Sequence, residues 1–406
     1  MHDLTQSIAR RSFLSRAALA GASLAPLATF NGIRAAGEDT PRIERVSIEA
    51  GITLTASNGR IGHFSGSQSQ NMEPLRTRFE VIRKLLLGRD PFDPELEGAL
   101  FWEALYPGKA ALYAEGRDPL TGEIIANKAR AGRHSDTGRV FMAFSTLDIA
   151  LWDLRAKLRG QPAYRVMGTA NRDAVSVYWR PGEADAGLED ARRRAREAYD
   201  QGYRYQKWYF TKSGKDGEKG MKEDIELVRV LREELPDAHL MFDNHSIRHF
   251  ADVDYSVRLC KAIAPYKPFW IEEPICPEHL EGYAKIKETT GVTIAGGEHW
   301  HTRWQVKQFL ERKCVDYVQS DPIWCGGISE WLRVCDLVRE YPGVQVVPHI
   351  TSPWVAAPHC VASQPESLCP LLEFNYEGGR ETLEKRMMRA SDGSVRMRMP
   401  DAPGVS

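Results

Sequence analysis

Seven ionisable residues recur along the second half of the sequence, Lys207, Asp243, Glu272, Glu298, Asp321, His349 and Glu373, and the last five intervals are 29, 26, 23, 28 and 24 residues. Each closes a short apolar run: "HLMFD" ends in Asp243, "PFWIE" in Glu272, and "VTIAGGE" carries Glu298 just past its apolar part. One such carboxylate is readily explained as a helix cap or a solvated loop charge. A whole series in register with the ends of successive runs implies one shared site. Three carboxylates brought together, Asp243, Glu272 and Glu298, cannot all stay ionised without a cation. Oxygen-only ligands on a rigid frame favour Mg2+ over zinc. In "WIEEP" the strand-closing Glu272 is the expected ligand, with Glu273 pairing outward or behind it. A zinc reading through His299 and His301 of "EHWH" is the weaker one, because side chains two residues apart diverge.

Asp321 and His349 close adjacent runs, so the carboxylate can orient the imidazole and stabilise its charge, making His349 a general base or acid. His299 directly follows a ligand and is placed to reach a substrate oxygen or to support the ligand from behind. Lys207 and Tyr209 share one face of "YRYQKWY", with Lys207 read as a partner for a substrate carboxylate ahead of a stem packed against Trp208. Arg180, Asn244 and Trp324 lie beside strand ends. With His63 of the early "RIGHF" segment, they are candidate substrate contacts.

The elements that must hold these groups are legible in the spacing. From residue 174 onward, eight apolar runs of four to seven residues alternate with amphipathic stretches. An example is "DIELVRVLREEL" (224–235), with Ile225, Val228, Leu231 and Leu235 on one stripe. Near-continuous apolar strands argue for a parallel sheet covered on both faces. Closed on itself, this is an α/β fold of the (β/α)7β modified TIM-barrel type, whose active sites lie at the C-terminal ends of the strands. A doubly wound open sheet is the alternative, but no glycine fingerprint follows the first strand. The expected catalytic domain is 170–376.

Residues 41–168 do not share this rhythm. "RIERVSIEAGITLTA" reads as an antiparallel hairpin, and "TRFEVIRKLLLG" and "GRVFMAFSTLDIALWDLRAKLRG" read as helices, giving an α+β domain before the barrel. The C-terminal segment 377–406 ends with period-2 character and is expected to return to that domain. The polar, basic stretch 114–138 reads as a mobile insertion.

Residues 1–36 place Arg10-Arg11 before a mildly apolar, alanine-rich stretch and end in the small residues of "IRAAG". This pattern predicts a twin-arginine export signal and a periplasmic enzyme exported already folded. The apolar stretch is too short for a confident membrane span, so no membrane anchoring is expected after cleavage. Net charge is -1 for the whole chain, which points away from nucleic-acid and membrane-surface binding. The seven cysteines include no CxxC pair and read as buried thiols.

Taken in order, the Asp243 strand end, "WIEEP", "GGEHW", "SDP…GGI" and "VVPH" resemble the enolase superfamily, within its mandelate racemase-like branch. "DIALWDLRAKLRGQPAYRVMG" (148–168) is similar to the end of that branch's N-terminal capping domain. The resemblance implies Mg2+ at Asp243, Glu272 and Glu298, an Asp321–His349 dyad, and a Glu373 that hydrogen-bonds the reacting carboxylate. It further implies proton abstraction α to a carboxylate, the step for which this superfamily uses a Lys or His base with Mg2+. Tyr209 stands where racemases of the branch carry a second lysine, which disfavours two-base racemisation. "GEHWHTRW", "WCGG" and "VVPH" look like the rhamnonate dehydratase group. That implies a sugar-acid substrate, loss of the 3-hydroxyl and a 2-keto-3-deoxy product. An epimerase and a non-catalytic sugar-acid binding protein are the alternatives. Homo-oligomers are frequent in this branch, an expectation that rests on resemblance alone.

Overall fold

The computed structural model describes residues 40–65, 72–105, 138–168, 170–181, 187–244, 252–350, 355–375 and 385–405. The expected export signal and nearly all of the 114–138 stretch lie outside these residues.

Strands β1 (Ile43–Ile48), β2 (Ile52–Ala56) and β3 (Ile61–Phe64) form the antiparallel meander that their alternation predicts. Helices α1 (Phe79–Leu86), α2 (Pro94–Leu105) and α3 (Arg139–Arg159) follow. Helix α3 is buried without a break from Val140 to Ala156 apart from Met142. A helix with no solvated face must be packed on several sides, and this one contacts β2, β3, the short helical turn Glu73–Arg76, α2 and a helix of the second region. It stops at Gly160, whose left-handed φ of 63° ends the helix.

The second region is a run of parallel strands and helices. In order these are β4 (Ala174–Arg180), α4 (Leu188–Asp200), β5 (Tyr205–Tyr209), α5 (Gly217–Glu234), β6 (His239–Asp243), α6 (Val253–Ile263), β7 (Trp270–Glu272), α7 (Leu280–Thr290), β8 (Ile294–Gly296), α8 (Arg303–Glu311), β9 (Tyr317–Val318), α9 (Ile328–Val338), β10 (Gln345–Val346), α10 (Ala356–Ala362) and β11 (Leu371–Asn375). Each strand from β4 to β10 pairs in parallel with the next, and β11 returns to pair in parallel with β4. No pairing of β10 with β11 is seen among the described residues; Val346 N donates to Leu368 O, three residues before β11, at 2.9 Å. This is the (β/α)7β arrangement. Its interior is one cluster of Tyr178, Met241, Trp270, Ala295, Val347 and Leu371, drawn from six points around the sheet. Helix α5 buries Met221, Asp224, Leu227, Val228 and Leu231, while Ile225 is only half-buried, so the stripe is centred beside the one read from sequence.

The C-terminal residues do more than return to the first region. Strand β13 (Val395–Arg398), with β12 (Met387–Arg389) on its far side, pairs antiparallel with the start of β4. The reason is a free edge: β5 meets β4 only at Trp179, leaving Ala174–Ser176 without a partner on that side. Only the last residues reach back, where Val405 N donates to Asp153 Oδ1 and Ala163 N to Gly404 O, both at 2.8 Å.

At this junction His359 of α10 is buried and its Nδ1 accepts from Tyr164 N at 3.1 Å, which requires the neutral ring. Burial, and then the charge of Arg386, push its pKa down to about 3. The folded value lies below the unfolded one, so the unfolded chain binds the extra proton. Stability is therefore full above about pH 6.5 and lost as pH falls toward 3, by at most ~1.4 kcal/mol per unit from this group. His359→Gln is expected to flatten urea-measured stability between pH 7 and 5; an unchanged slope would assign that slope to other groups.

Candidate active site

The strand ends bring together what the spacing predicted. Asp243 and Glu272 are paired in register on β6 and β7. Glu298 follows β8 after Gly296-Gly297, and it is buried like the other two. Gly297 has φ 119°, and a Cβ there would stand 2.7 Å from the Trp300 ring. Only glycine lets the chain turn there and present Glu298.

Burial and the Asp243 charge push the Glu272 carboxyl well above its ordinary pKa, and burial also raises that of Glu298. Such a set calls for positive charge, and in the protein alone Lys207 supplies it. Its ammonium is completely buried and lies 2.7 Å from Glu272 Oε1, 3.1 Å from Asp243 Oδ2 and 3.3 Å from Glu373 Oε1. Burial opposes the charge, but Glu272, Glu373 and Asp243 together hold the Lys207 pKa well above the ordinary value. Burial would raise the Glu373 carboxyl, yet Lys207, Arg180 and His349 overcome it and bring it down to about 2. In this state Glu373 is an acceptor, taking Ile350 N at 3.1 Å.

His349 Nδ1 lies 2.9 Å from Asp321 Oδ2, and its Nε2 is 3.8 Å from Glu298 Oε2, facing the carboxylates. Burial disfavours its charge, but Glu298, Glu373 and Asp321 raise it to about 10. His299 Nδ1 lies 2.9 Å from Glu273 Oε1, a bond that overcomes burial and raises His299 to about 9. Trp324 stands beside both rings, with centroids 4.8 Å from His349 and 5.7 Å from His299.

The partner of Glu273, His299, escaped the sequence reading. Strand alternation sends Glu273 away from Glu272, but its φ of 41°, rare for a non-glycine residue, turns the chain so that it meets His299. The doubled glutamate of "WIEEP" was the signal, and the backbone twist that gives it meaning is not visible in sequence. The group of metal-capable atoms lying within 4.8 Å of one another among the described residues is Glu273, Glu298 and His299. In the protein alone His299 and Glu273 are hydrogen-bonded to each other. The oxygen set of Asp243, Glu272 and Glu298 on successive strands fits a hard cation better.

Tyr209 accepts from Arg180 Nη1 at 2.5 Å, and burial pushes its pKa up, so it stays protonated. Arg180 Nε is 3.1 Å from Glu373 Oε1. Asn244 supports the turn after β7, with Nδ2 donating to Pro274 O at 3.0 Å. His63 lies on the exposed side of the meander, with its Nδ1 3.0 Å from Thr53 Oγ1. His301 Nδ1 is 3.3 Å from Trp324 O, so the two histidines of "EHWH" diverge as expected.

Residues 190–406 match the family of enolase C-terminal domain-like proteins. An L-rhamnonate dehydratase of Saccharopolyspora erythraea is 32% identical over 276 residues, which is 66% of this chain and 66% of the relative. A D-galactarolactone cycloisomerase of Agrobacterium fabrum is 29% identical over 306 residues, 71% of this chain and 78% of the relative. The crystal structure of a rhamnonate dehydratase from Gibberella zeae complexed with Mg superposes with a TM-score of 0.64 at 25% identity, covering 87% of this chain and 78% of that one.

Proposed function

This chain belongs to the enolase superfamily, and from that premise we propose that it is a Mg2+-dependent dehydratase of a sugar acid of the aldonate class. The observation that carries the reading is the pair of imidazoles flanking Trp324, each held by its own carboxylate, beside three buried carboxylates. Asp243, Glu272 and Glu298 would hold Mg2+, whose charge makes a second negative charge on a substrate carboxylate accessible.

The chain's own residues divide the proton work. Asp321 accepts from His349 Nδ1–H, and a cation held at Glu298 would offset the carboxylate charge that most raises His349 in the protein alone, leaving Nε2 unprotonated to take the proton from C2. Glu273 keeps His299 protonated, so His299 gives its proton to the departing 3-hydroxyl. Lys207 supplies fixed positive charge at the floor of the site. With loss of water from C2 and C3, the enol product becomes a 2-keto-3-deoxy acid. Tyr209, held protonated, offers no second base, which disfavours an epimerase. The two base-and-acid pairs disfavour a protein that only binds, because binding needs no base. The arginine pair at the N-terminus supports export of the folded enzyme to the periplasm.

A panel of aldonates incubated with the enzyme and Mg2+ in deuterated water tests the reading. The expected result is a 2-keto-3-deoxy acid from at least one of them, with EDTA stopping its formation. Exchange at C2 with inversion and no keto acid would replace dehydration by epimerisation. No exchange and no product from any acid that binds would leave only a binding protein.

A further inference from the structure

The loop from Asp321 to Gly327 carries both Asp321 and Trp324, and its two ends are fixed by different parts of the molecule. Its near end is an internal turn, in which Asp321 Oδ1 accepts from Ile323 N at 2.7 Å and Asp321 O accepts from Trp324 N and Cys325 N at 2.9 and 2.8 Å. Its far end is held by helix α3, which precedes the barrel in sequence. Gly326 N donates to Ser145 Oγ at 3.0 Å. Asp148 Oδ2 accepts from Ser329 N at 2.9 Å, and its Oδ1 accepts from Ser329 Oγ at 2.6 Å. Trp152 Nε1 donates to the same Ser329 Oγ at 2.9 Å.

Ser145, Asp148 and Trp152 are spaced so that one face of α3 makes all three contacts. Helix α9 has Gly327 at its N-cap, a residue with no side chain to satisfy the first free N–H groups. Asp148 does so from 181 residues away in sequence. The fit leaves no room: Gly327 has φ 99°, and a Cβ there would stand 2.4 Å from Asp148 Oδ2. Burial, then Glu97, raise the Asp148 carboxyl to about 6, so keeping this charge here opposes stability. Its neighbours Arg155 and Arg333 do not cancel that, since both also pair with Glu97.

We propose that α3 is a positioning element of the reaction, with Ser145 and Asp148 clamping the far end of the loop so that Asp321 and Trp324 hold His349 in register. Neither residue touches the reacting groups, and both act through the loop. The proposal rests on the reading that His349 is the base. A shift of about 1 Å at reacting groups costs on the order of 10²-fold in rate, so the clamp is expected to show in turnover before it shows in binding.

The test compares Ser145→Ala, Asp148→Ala and Asp148→Asn with the wild type in three readouts. The first is kcat against KM for the aldonate turned over. The second is Mg2+ affinity by calorimetry. The third is solvent exchange of the His349 Nδ1–H proton by NMR, assigned by its loss in His349→Asn. Asp148→Ala is expected to lower kcat about 10- to 100-fold, with KM changed less and Mg2+ affinity within twofold, and to speed exchange of the His349 proton. Asp148→Asn, which still accepts from Ser329 N, is expected to recover part of both. Unchanged kcat and unchanged His349 exchange, with only a lower melting temperature, would overturn the proposal. If Asp148→Ala does not fold, Ser145→Ala, which loses the bond from Gly326 N and a donation to Phe141 O within α3, carries the same comparison. If the wild type turns over no acid, the functional reading falls, whereas the His349 proton still reports on the clamp.

Discussion

His349→Asn is expected to lower kcat by about 10³-fold or more while substrate and Mg2+ still bind within a few-fold of the wild type. General acid–base catalysis by one positioned group contributes about 10² to 10⁴, and here no other group can take over. Tyr209 stays protonated, and Lys207 is committed to three carboxylates. Binding should survive because the proposed cation ligands sit on β6, β7 and just past β8, whereas His349 follows β10. Deuterium exchange at C2 should disappear together with dehydration, since both begin with the same proton. Asp321→Asn should cost about 10²-fold or more, because an amide can present its N–H to Nδ1 and stabilise the wrong tautomer. Exchange at the wild-type rate in His349→Asn would remove His349 from the reaction.

Lys207→Met should have the largest effect on stability. Removing one partner of a buried ion pair costs about 3 to 5 kcal/mol, because the remaining charges stay buried without compensation. Here three carboxylates lose their shared cation. In EDTA the variant should unfold at markedly lower urea than the wild type. Saturating Mg2+ should then stabilise the variant more than the wild type, since a ligand of the folded state adds stability according to its affinity. The pH dependence should change as well. The folded pKa of Glu373, about 2, lies below the unfolded one, so its contribution is present above about pH 4.5 and lost as pH falls toward 2. Without Lys207 much of that contribution should vanish, and the acid limb of the stability curve should flatten. Equal stability of the two proteins in EDTA would show that Lys207 is not the internal counter-ion.

The residues that act in pairs show how far sequence alone reaches. Asp321 and His349 were legible because each closes its own strand and adjacent parallel strands bring their ends together. The Asp243, Glu272 and Glu298 set was legible for the same reason. The partnership of Glu273 with His299 was not, because it depends on a backbone angle that reverses the ordinary alternation. His63 read as a candidate substrate contact by residue type, yet its ring lies against Thr53 on the meander. The C-terminal strand was legible as a strand, but its place beside β4 depends on where β5 begins.

By itself the sequence determined the repeat of strand and helix, the end of each strand at which chemistry is carried, and the choice of oxygen ligands that suits a hard cation. All three are local properties, set by residue type and by the length of one β/α unit. Only the tertiary structure decided which charges face one another: that Lys207 neutralises three carboxylates, that Trp324 lies beside both imidazoles, and that α3 holds the loop bearing Asp321. Those contacts join residues far apart along the chain, up to 181 positions for Asp148 and Ser329. Register and packing between distant elements fix them, and no local pattern encodes either.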